Sequence, residues 1–471
     1  MQKIKIGLVS LICLFITVFP ALVNAKDMDS MTTIEFTQLL QGLDTQQRLD
    51  LNSAGSTPLT REKAAAIIIK LMGYEGVAES YKTSTLFKDV AAYKGEIHLV
   101  KELGIMSGTS INDFNPKGKV TKEQGQVIYQ RLQNKMEQKT KWKHAFYALS
   151  SSSQMDQIPN YDAVSFGWAQ VSYDTAGGDF NLEWNNAKND FKIPTGFATP
   201  MDLAKASGAE TYLMIFFEDQ GGSAKKLFSN TAERDVLINQ IVSLCNQISK
   251  DGVTRSFDGV TIDFENFISS ELKEPYNQFL KKLKDELKKN NKKLNVAVQP
   301  TTHFKGYDYK AIGEVSDKVI LMAHDYAPKT LTSFEQEIGR GITPITPISE
   351  VYKDLKAVTH PISGVQDLSK IVLQISYGST QWQLKEERVI HTKPYTPTYD
   401  KIYERLSKMG TKSIYSELYQ NPYAIYEQDG IKNIIWYENN KSVNAKITLA
   451  KLFNINNISY WRLGTIPMYE Q

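Results

Sequence analysis

The chain has 471 residues, of which 41% are hydrophobic, 23% charged and 11% aromatic, the composition of a folded protein with material for a large core and not of a disordered tail. Its 55 basic and 52 acidic residues leave a formal net charge of +3, too balanced for an electrostatic grip on nucleic acid. Two cysteines exclude a disulfide-stapled scaffold, and six scattered histidines show no pair at metal-ligand spacing, so neither a metal nor a cofactor is expected.

In chain order, Lys3 and Lys5 precede an apolar run over 6–23, and Val23-Asn24-Ala25 closes it ahead of Lys26. A basic, then apolar, then small-residue layout is that of a secretory signal peptide, predicted over 1–25. No later stretch is long and apolar enough to span a membrane, so a secreted or cell-envelope protein is expected. Cys13 leaves with the leader, and Cys245 falls in the apolar pattern Leu237, Ile238, Ile241, Leu244, Ile248, which predicts helix core for it.

Residues 26–135 read as a small all-α domain. Thr60-Arg61-Glu62-Lys63 opens an apolar helix over 64–72 that ends at Gly73, and Thr121-Lys122-Glu123-Gln124 opens another through Val127, Ile128 and Leu132. Each Thr sits where its hydroxyl can accept a free amide of the first turn. Between them, Phe87-Lys88-Asp89-Val90 leads into a helix through Ile97, Val100 and Leu103, followed by Gly104-Ile105-Met106-Ser107-Gly108 and Phe114-Asn115-Pro116. This order resembles the surface-layer homology repeat, with 87–132 as one unit and 57–74 as the closing half of another. The resemblance implies attachment to a bacterial cell-wall polymer. Lys122 stands where the repeat has Arg, and an ammonium lacks the planar two-pronged contact of a guanidinium.

Residues 136–143 are polar and predict a linker, and 144–471 change texture. Eight short apolar runs alternate with helical stretches, at 145–150, 163–168, 211–217, 259–264, 294–298, 318–322, 371–376 and 458–463. That alternation predicts an α/β domain in the form of a (β/α)8 TIM barrel. An open doubly wound sheet would want a glycine-rich turn after its first strand, where this chain has four serines at 150–153. The polar, Tyr-rich segment 385–432 is expected as an excursion that walls one side of a cleft.

In a barrel, chemistry gathers at the C-terminal strand ends. Along the fourth run, Phe257-Asp258-Gly259-Val260-Thr261-Ile262-Asp263-Phe264-Glu265-Asn266, side-chain alternation turns Thr261, Asp263 and Glu265 inward and Val260, Ile262 and Phe264 outward. Neighbouring carboxyls in a partly buried site resist ionising together, so one keeps its proton and can serve as a general acid.

This strand resembles the Asp-x-x-Asp-x-Asp-x-Glu signature of glycoside hydrolase family 18, the chitinase-like barrels, and the spore and cell-wall branch in particular. Leu321-Met322-Ala323-His324-Asp325-Tyr326, Ile375-Ser376-Tyr377-Gly378 and Ile458-Ser459-Tyr460-Trp461 are similar to the family's later strand ends. The resemblance implies a retaining, substrate-assisted mechanism, an exception to the two-carboxylate scheme. Glu265 would be the acid/base, and Asp263 would orient the substrate's acetamido group. Asp258, Thr261, Gln299, His324, Asp325, Tyr377 and Trp461 would surround the substrate, with Trp461 as the floor under the reacting sugar. Thr261 stands where the family has an Asp, and its hydroxyl is expected on Asp263. His324 stands where the family has a Tyr, and is expected to donate to the acetamido group and to titrate near neutral pH. Trp168 is a further cleft candidate, while Glu218 and Asp219 are expected to be solvated. The implied activity is hydrolysis of β-1,4 bonds at N-acetylglucosamine in peptidoglycan of wall or spore cortex. The alternatives are a non-catalytic carbohydrate-binding protein of the envelope and a chitinase acting on chitin oligomers.

Overall fold

The computed structural model describes residues 30–174, 178–186, 189–337 and 342–467. The expected signal peptide lies outside the described residues.

The N-terminal region is helical, with helices Thr33–Leu40, Arg61–Met72, Glu75–Glu79, Lys94–Glu102 and Lys122–Met136. Thr121 caps its helix as expected, accepting from the Gln124 amide while Gln124 returns a bond to the Thr121 amide. Thr60 occupies the same position without a cap bond. Two first-turn amides of its helix are taken from elsewhere, Arg61 N by Gly118 O and Glu62 N by Pro116 O, and the Thr60 hydroxyl is buried without a partner among the described residues. Gly73 ends that helix at φ +70°, a left-handed conformation that glycine adopts without penalty. Asp89 accepts from the amides of Phe114 and Asn115 at 2.9 and 2.7 Å, which ties the start of the expected repeat to the loop ahead of its last helix.

Residues 136–143 are not a free tether. The first barrel strand starts at Trp142, and Lys135 donates to Leu452 O at 2.8 Å while Asn456 donates to Gln138 at 2.5 Å.

The barrel strands are β1 (Trp142–Tyr147), β2 (Ala163–Tyr173), β3 (Glu210–Glu218), β4 (Gly259–Glu265), β5 (Lys293–Val298), β6 (Lys318–Leu321), β7 (Ile371–Ser376) and β8 (Asn457–Trp461). Each of the eight apolar runs became one of them. They pair in parallel in chain order, and β1 pairs with both β2 and β8, which closes the barrel. A short strand, Phe180–Glu183, adds antiparallel to the extended end of β2.

Phe146, Met214, Ala297, Ile320, Met322 and Val372 fill the interior as one buried cluster. On the outside, Phe264 packs on Tyr276 and Phe279 of the helix Lys273–Lys289. That is the division of faces expected from strand alternation. Cys245 is buried in the helix Thr231–Asn246, and burial pushes its thiol up to about 12.

The segment after β7 differs from the expected excursion. Strands Thr380–Lys385, Arg388–Val389, Lys412–Ser416, Asn421–Gln428 and Ile431–Trp436 form a five-stranded antiparallel sheet. Its own core contains Ile402, Ala424, Tyr426, Ile435 and Tyr437. Polar side chains obscured it in the sequence because several are buried in pairs, as where Gln381 donates to Asn433 at 2.8 Å and to the Tyr426 hydroxyl at 3.1 Å.

Candidate active site

Strand β4 delivers Asp263 and Glu265 to the C-terminal mouth of the barrel on its inward face. Asp263 is 2% exposed and its Oδ1 has no hydrogen-bond partner among the described residues, while Glu265 is half-buried. Burial raises the Asp263 carboxyl well above its ordinary range, and the Glu265 charge adds to this against the pull of His324. Burial also raises Glu265, with His324 opposing and Asp325 and Glu218 assisting. The two carboxyls therefore hold a proton between them where isolated ones would have lost both.

Glu265 is held in place from two sides. Gln299, just past β5, donates to Glu265 Oε2 at 3.2 Å, and its Oε1 accepts from the Asn266 amide at 2.6 Å and from the Tyr307 hydroxyl at 3.2 Å. From β3, the Asp219 amide donates to Glu265 O at 3.0 Å, and Asn266 Nδ2 returns a bond to Asp219 O at 2.9 Å. The Asp219 carboxylate is committed to Ser223 and to the Ala224 amide, whereas Glu218, opposite Glu265 in the ladder, is exposed.

His324 and Asp325 follow β6. His324 Nδ1 lies 2.8 Å from Asp325 Oδ2, and Nε2 lies 2.8 Å from Gln374 Oε1, whose amide orientation makes both ring nitrogens donors. Burial works against the imidazolium, but Asp325, Gln374 and Glu265 outweigh it and raise His324 to about 9. It is thus a cation at neutral pH, not a group titrating near neutrality. With both nitrogens engaged, it has none left for an acetamido oxygen. Asp325, at φ +65°, is held low by that cation despite the desolvation that opposes ionisation.

Trp461 ends β8 on the inner side, half-buried and edge-on to Phe146 at 5.1 Å. Four further expectations are corrected. Asp258 precedes β4, at the opposite end of the barrel, where it accepts from the amide and hydroxyl of Thr211 at 2.8 and 2.9 Å. Tyr377 turns outward from β7 and stacks on Tyr460, 6.3 Å between rings. The Thr261 hydroxyl does not reach Asp263 but bonds to Ser165 at 2.6 Å, and Ser165 continues to His144 at 2.7 Å. Trp168 is likewise fully buried in the outer layer.

Two cavities reach residues that neighbour the carboxyl pair, without either carboxyl in their lining. One, of about 680 Å³, is lined by His303, Phe304, His324, Asp325, Tyr326 and Tyr419 among others. The second, of about 230 Å³, lies along the ends of β2 and β3 and includes Phe216 and Glu218, the ladder partners of Asp263 and Glu265. Sequence reasoning missed Gln374 and Tyr419. The first was visible as a polar residue in register with the inward positions Val372 and Ser376 of an apolar strand; the second lay inside the unrecognised sheet.

A closed parallel barrel that carries two neighbouring carboxyls, both raised by burial, at its C-terminal mouth, with sugar-sized cavities close by, is the arrangement of a glycoside-hydrolase type of centre. Residues 143–465 match Glycosyl hydrolases family 18, and residues 86–124 match the S-layer homology domain. The chain belongs to glycosyl hydrolase family 18, and its S-layer homology domain is that of a cell-envelope protein. It is similar to the cortical fragment-lytic enzyme of Bacillus subtilis (strain 168), 26% identical over 251 residues, which is 50% of this chain and 54% of that protein. It is equally similar to that of Bacillus anthracis, 26% identical over 289 residues, 59% of this chain and 63% of that protein. The chain thus spans little more than half the length of these curated relatives. Among solved structures, the Bacillus cereus spore cortex-lytic enzyme SleL superposes with a TM-score of 0.54 at 19% identity, covering 69% of this chain and 71% of that one. The chitinase of Chromobacterium violaceum ATCC 12472 gives 0.53 at 18%, covering 69% and 94%. At these identities the likeness is one of fold. No helix among the described residues is long and apolar enough to cross a membrane.

Proposed function

We propose that the protein is an envelope glycosidase that hydrolyses β-1,4 bonds at N-acetylglucosamine in peptidoglycan, with retention and with assistance from the substrate's own acetamido group. The observation that carries this reading is the placement of Asp263 and Glu265 on one inward strand face with both carboxyls raised by burial. Glu265, half-buried and steadied by Gln299, donates its proton to the glycosidic oxygen as the bond breaks. The acetamido oxygen attacks the anomeric carbon, so no enzyme nucleophile is needed. Asp263, whose Oδ1 lacks a partner, accepts the acetamido N–H and balances the cation that forms. The His324 imidazolium stabilises the carboxylate left on Glu265, which then takes a proton from the attacking water. Trp461 supplies an aromatic face beneath the sugar ring.

Similarity to cortical fragment-lytic enzymes and the S-layer homology match favour a wall glycan over chitin, with attachment through the helical domain spanning roughly residues 26–135. The deciding experiment is release of reducing sugar from purified peptidoglycan by the full chain and by Glu265→Gln. Loss of release in the variant supports catalysis; equal release from both overturns it, and binding without release from either points to a carbohydrate-binding protein. Comparing muropeptides with chitin oligomers as substrates separates the two glycan classes.

A further inference from the structure

The wall of the larger cavity opposite His324 and Asp325 is not held by the barrel alone. It is formed by the start of the helix Ile348–Val358, through Pro347, Ser349, Glu350 and Lys353, and by Tyr419, which lies between the strands Lys412–Ser416 and Asn421–Gln428. Both pieces are pinned by the N-terminal helical domain.

Arg48 reaches across to the turn that carries Tyr419. Its Nη2 donates to Gln420 Oε1 at 2.6 Å and to Glu417 Oε2 at 3.1 Å, and its Nε donates to the same Glu417 oxygen at 3.3 Å. Gln420 is fully buried and left-handed, at φ +52°, and its Nε2 donates to Gly73 O of the helical domain at 2.9 Å. The turn thus has a guanidinium fork on one side and a backbone carbonyl on the other, both from outside the barrel. Tyr419 O accepts from the Ile348 amide at 3.1 Å, which joins the turn to the helix start. The same helix is held again further along, where Glu102 accepts from Lys356 at 2.5 Å and from the Tyr352 hydroxyl.

We infer that the helical domain builds one wall of the glycan cleft: Arg48 is a positioning residue that fixes the 417–420 turn, and Tyr419 is the platform for a sugar unit adjoining the reacting one. This rests on the glycan reading of the cleft given above. An aromatic ring presents a flat apolar face to the C–H face of a pyranose only if its backbone is fixed. A planar guanidinium that bonds two acceptors at once fixes a turn better than a lysine, which offers a point charge.

The test uses the full chain carrying Glu265→Gln, so that binding is read without turnover. The affinity for a five-unit N-acetylglucosamine oligomer is measured by calorimetry in this background and with Arg48→Ala, Tyr419→Ala and the pair added. Each single change is expected to weaken binding about fivefold to tenfold, and the pair no more than Tyr419→Ala alone, because the two act through one ring. Arg48→Lys falls between wild-type and alanine. Unchanged affinity on Arg48→Ala, or losses that multiply in the pair, overturns the inference. Should Arg48→Ala fail to fold, Glu417→Gln takes its place, with a smaller loss expected and no loss refuting it. Arg48-dependent binding by a chain that releases no sugar leaves this inference standing and removes the hydrolase reading. Absence of binding to this oligomer and to a defined muropeptide alike in the starting background removes both.

Discussion

His324 makes a prediction whose size follows from its surroundings. Its side chain is 7% exposed, with Asp325 2.8 Å from one nitrogen and Gln374 2.8 Å from the other. In the unfolded chain it titrates near about 6.5, whereas in the fold burial is outweighed by Asp325, Gln374 and Glu265 and the midpoint is about 9. A folded-state value above the unfolded one adds stability that is complete below about 6.5, declines as pH rises, and is gone above about 9. At about 1.4 kcal/mol per pH unit the interval corresponds to about 3 kcal/mol. His324→Gln keeps a polar side chain of similar reach and removes the charge. Urea unfolding of wild type and variant at pH 6, 7.5 and 9.5 is expected to show a stability gap that narrows by about 3 kcal/mol across the series. A gap that stays constant or widens with pH refutes the charged-histidine reading. His324 also draws the Asp263 and Glu265 carboxyls down, so the variant's activity is expected to persist to higher pH on the alkaline limb.

Asp263→Asn keeps the shape and removes the charge that balances the developing cation; it is expected to lower kcat by at least about 10²-fold with KM changed far less, read by steady-state kinetics on a soluble oligomer. Lys446 and Glu438 form a pair at 2.8 Å with side chains 2% and 1% exposed, so Lys446→Met leaves a buried carboxylate without its cation. The expected cost is about 3–5 kcal/mol in denaturant unfolding, partly recovered by adding Glu438→Gln. At Gly95 a Cβ would stand 2.0 Å from Ala78 O, so Gly95→Ala should push apart the helices Lys94–Glu102 and Glu75–Glu79 at about 1–3 kcal/mol, visible as a lower Tm.

The barrel was legible because its signal is local and redundant. Each of the eight strands is a short apolar run, and the inward set Thr261, Asp263, Glu265 follows from strict two-residue alternation on one of them. The antiparallel sheet after β7 escaped because its buried surface is made partly of paired amides and tyrosines, which resemble a solvated loop until their partners are known. Asp258 and Tyr377 went wrong for a related reason. Both sit in motifs that include site residues, but Asp258 lies at the start of its strand and Tyr377 on the odd, outward register of its own. Thr60 shows the same limit on a smaller scale: it stands at the cap position without a cap bond, and carbonyls more than fifty residues away in the sequence take the amides of Arg61 and Glu62.

Thr261 explains why the site's proton arrangement rests on so few groups. A carboxylate at that position would face the Asp263 layer from below and share its proton. The hydroxyl instead turns to Ser165, and Ser165 to His144, whose other nitrogen meets Ser459 at 2.7 Å. That chain crosses the barrel interior from β4 through β2 and β1 to β8 without an ionised member, because burial lowers His144 to about 3 and keeps it neutral. Asp263 is therefore left with Glu265 as its carboxyl neighbour and His324 as the opposing cation, and on the glycosidase reading proposed above the balance between those two would set how readily Glu265 gives a proton. The same histidine that limits the rise of both carboxyls is tied to Asp325 at the edge of the larger cavity. On the glycosidase reading proposed above, a sugar seated against Asp325 would exclude solvent from that ion pair and strengthen it, and would thereby act on the proton that cleaves the sugar's own bond.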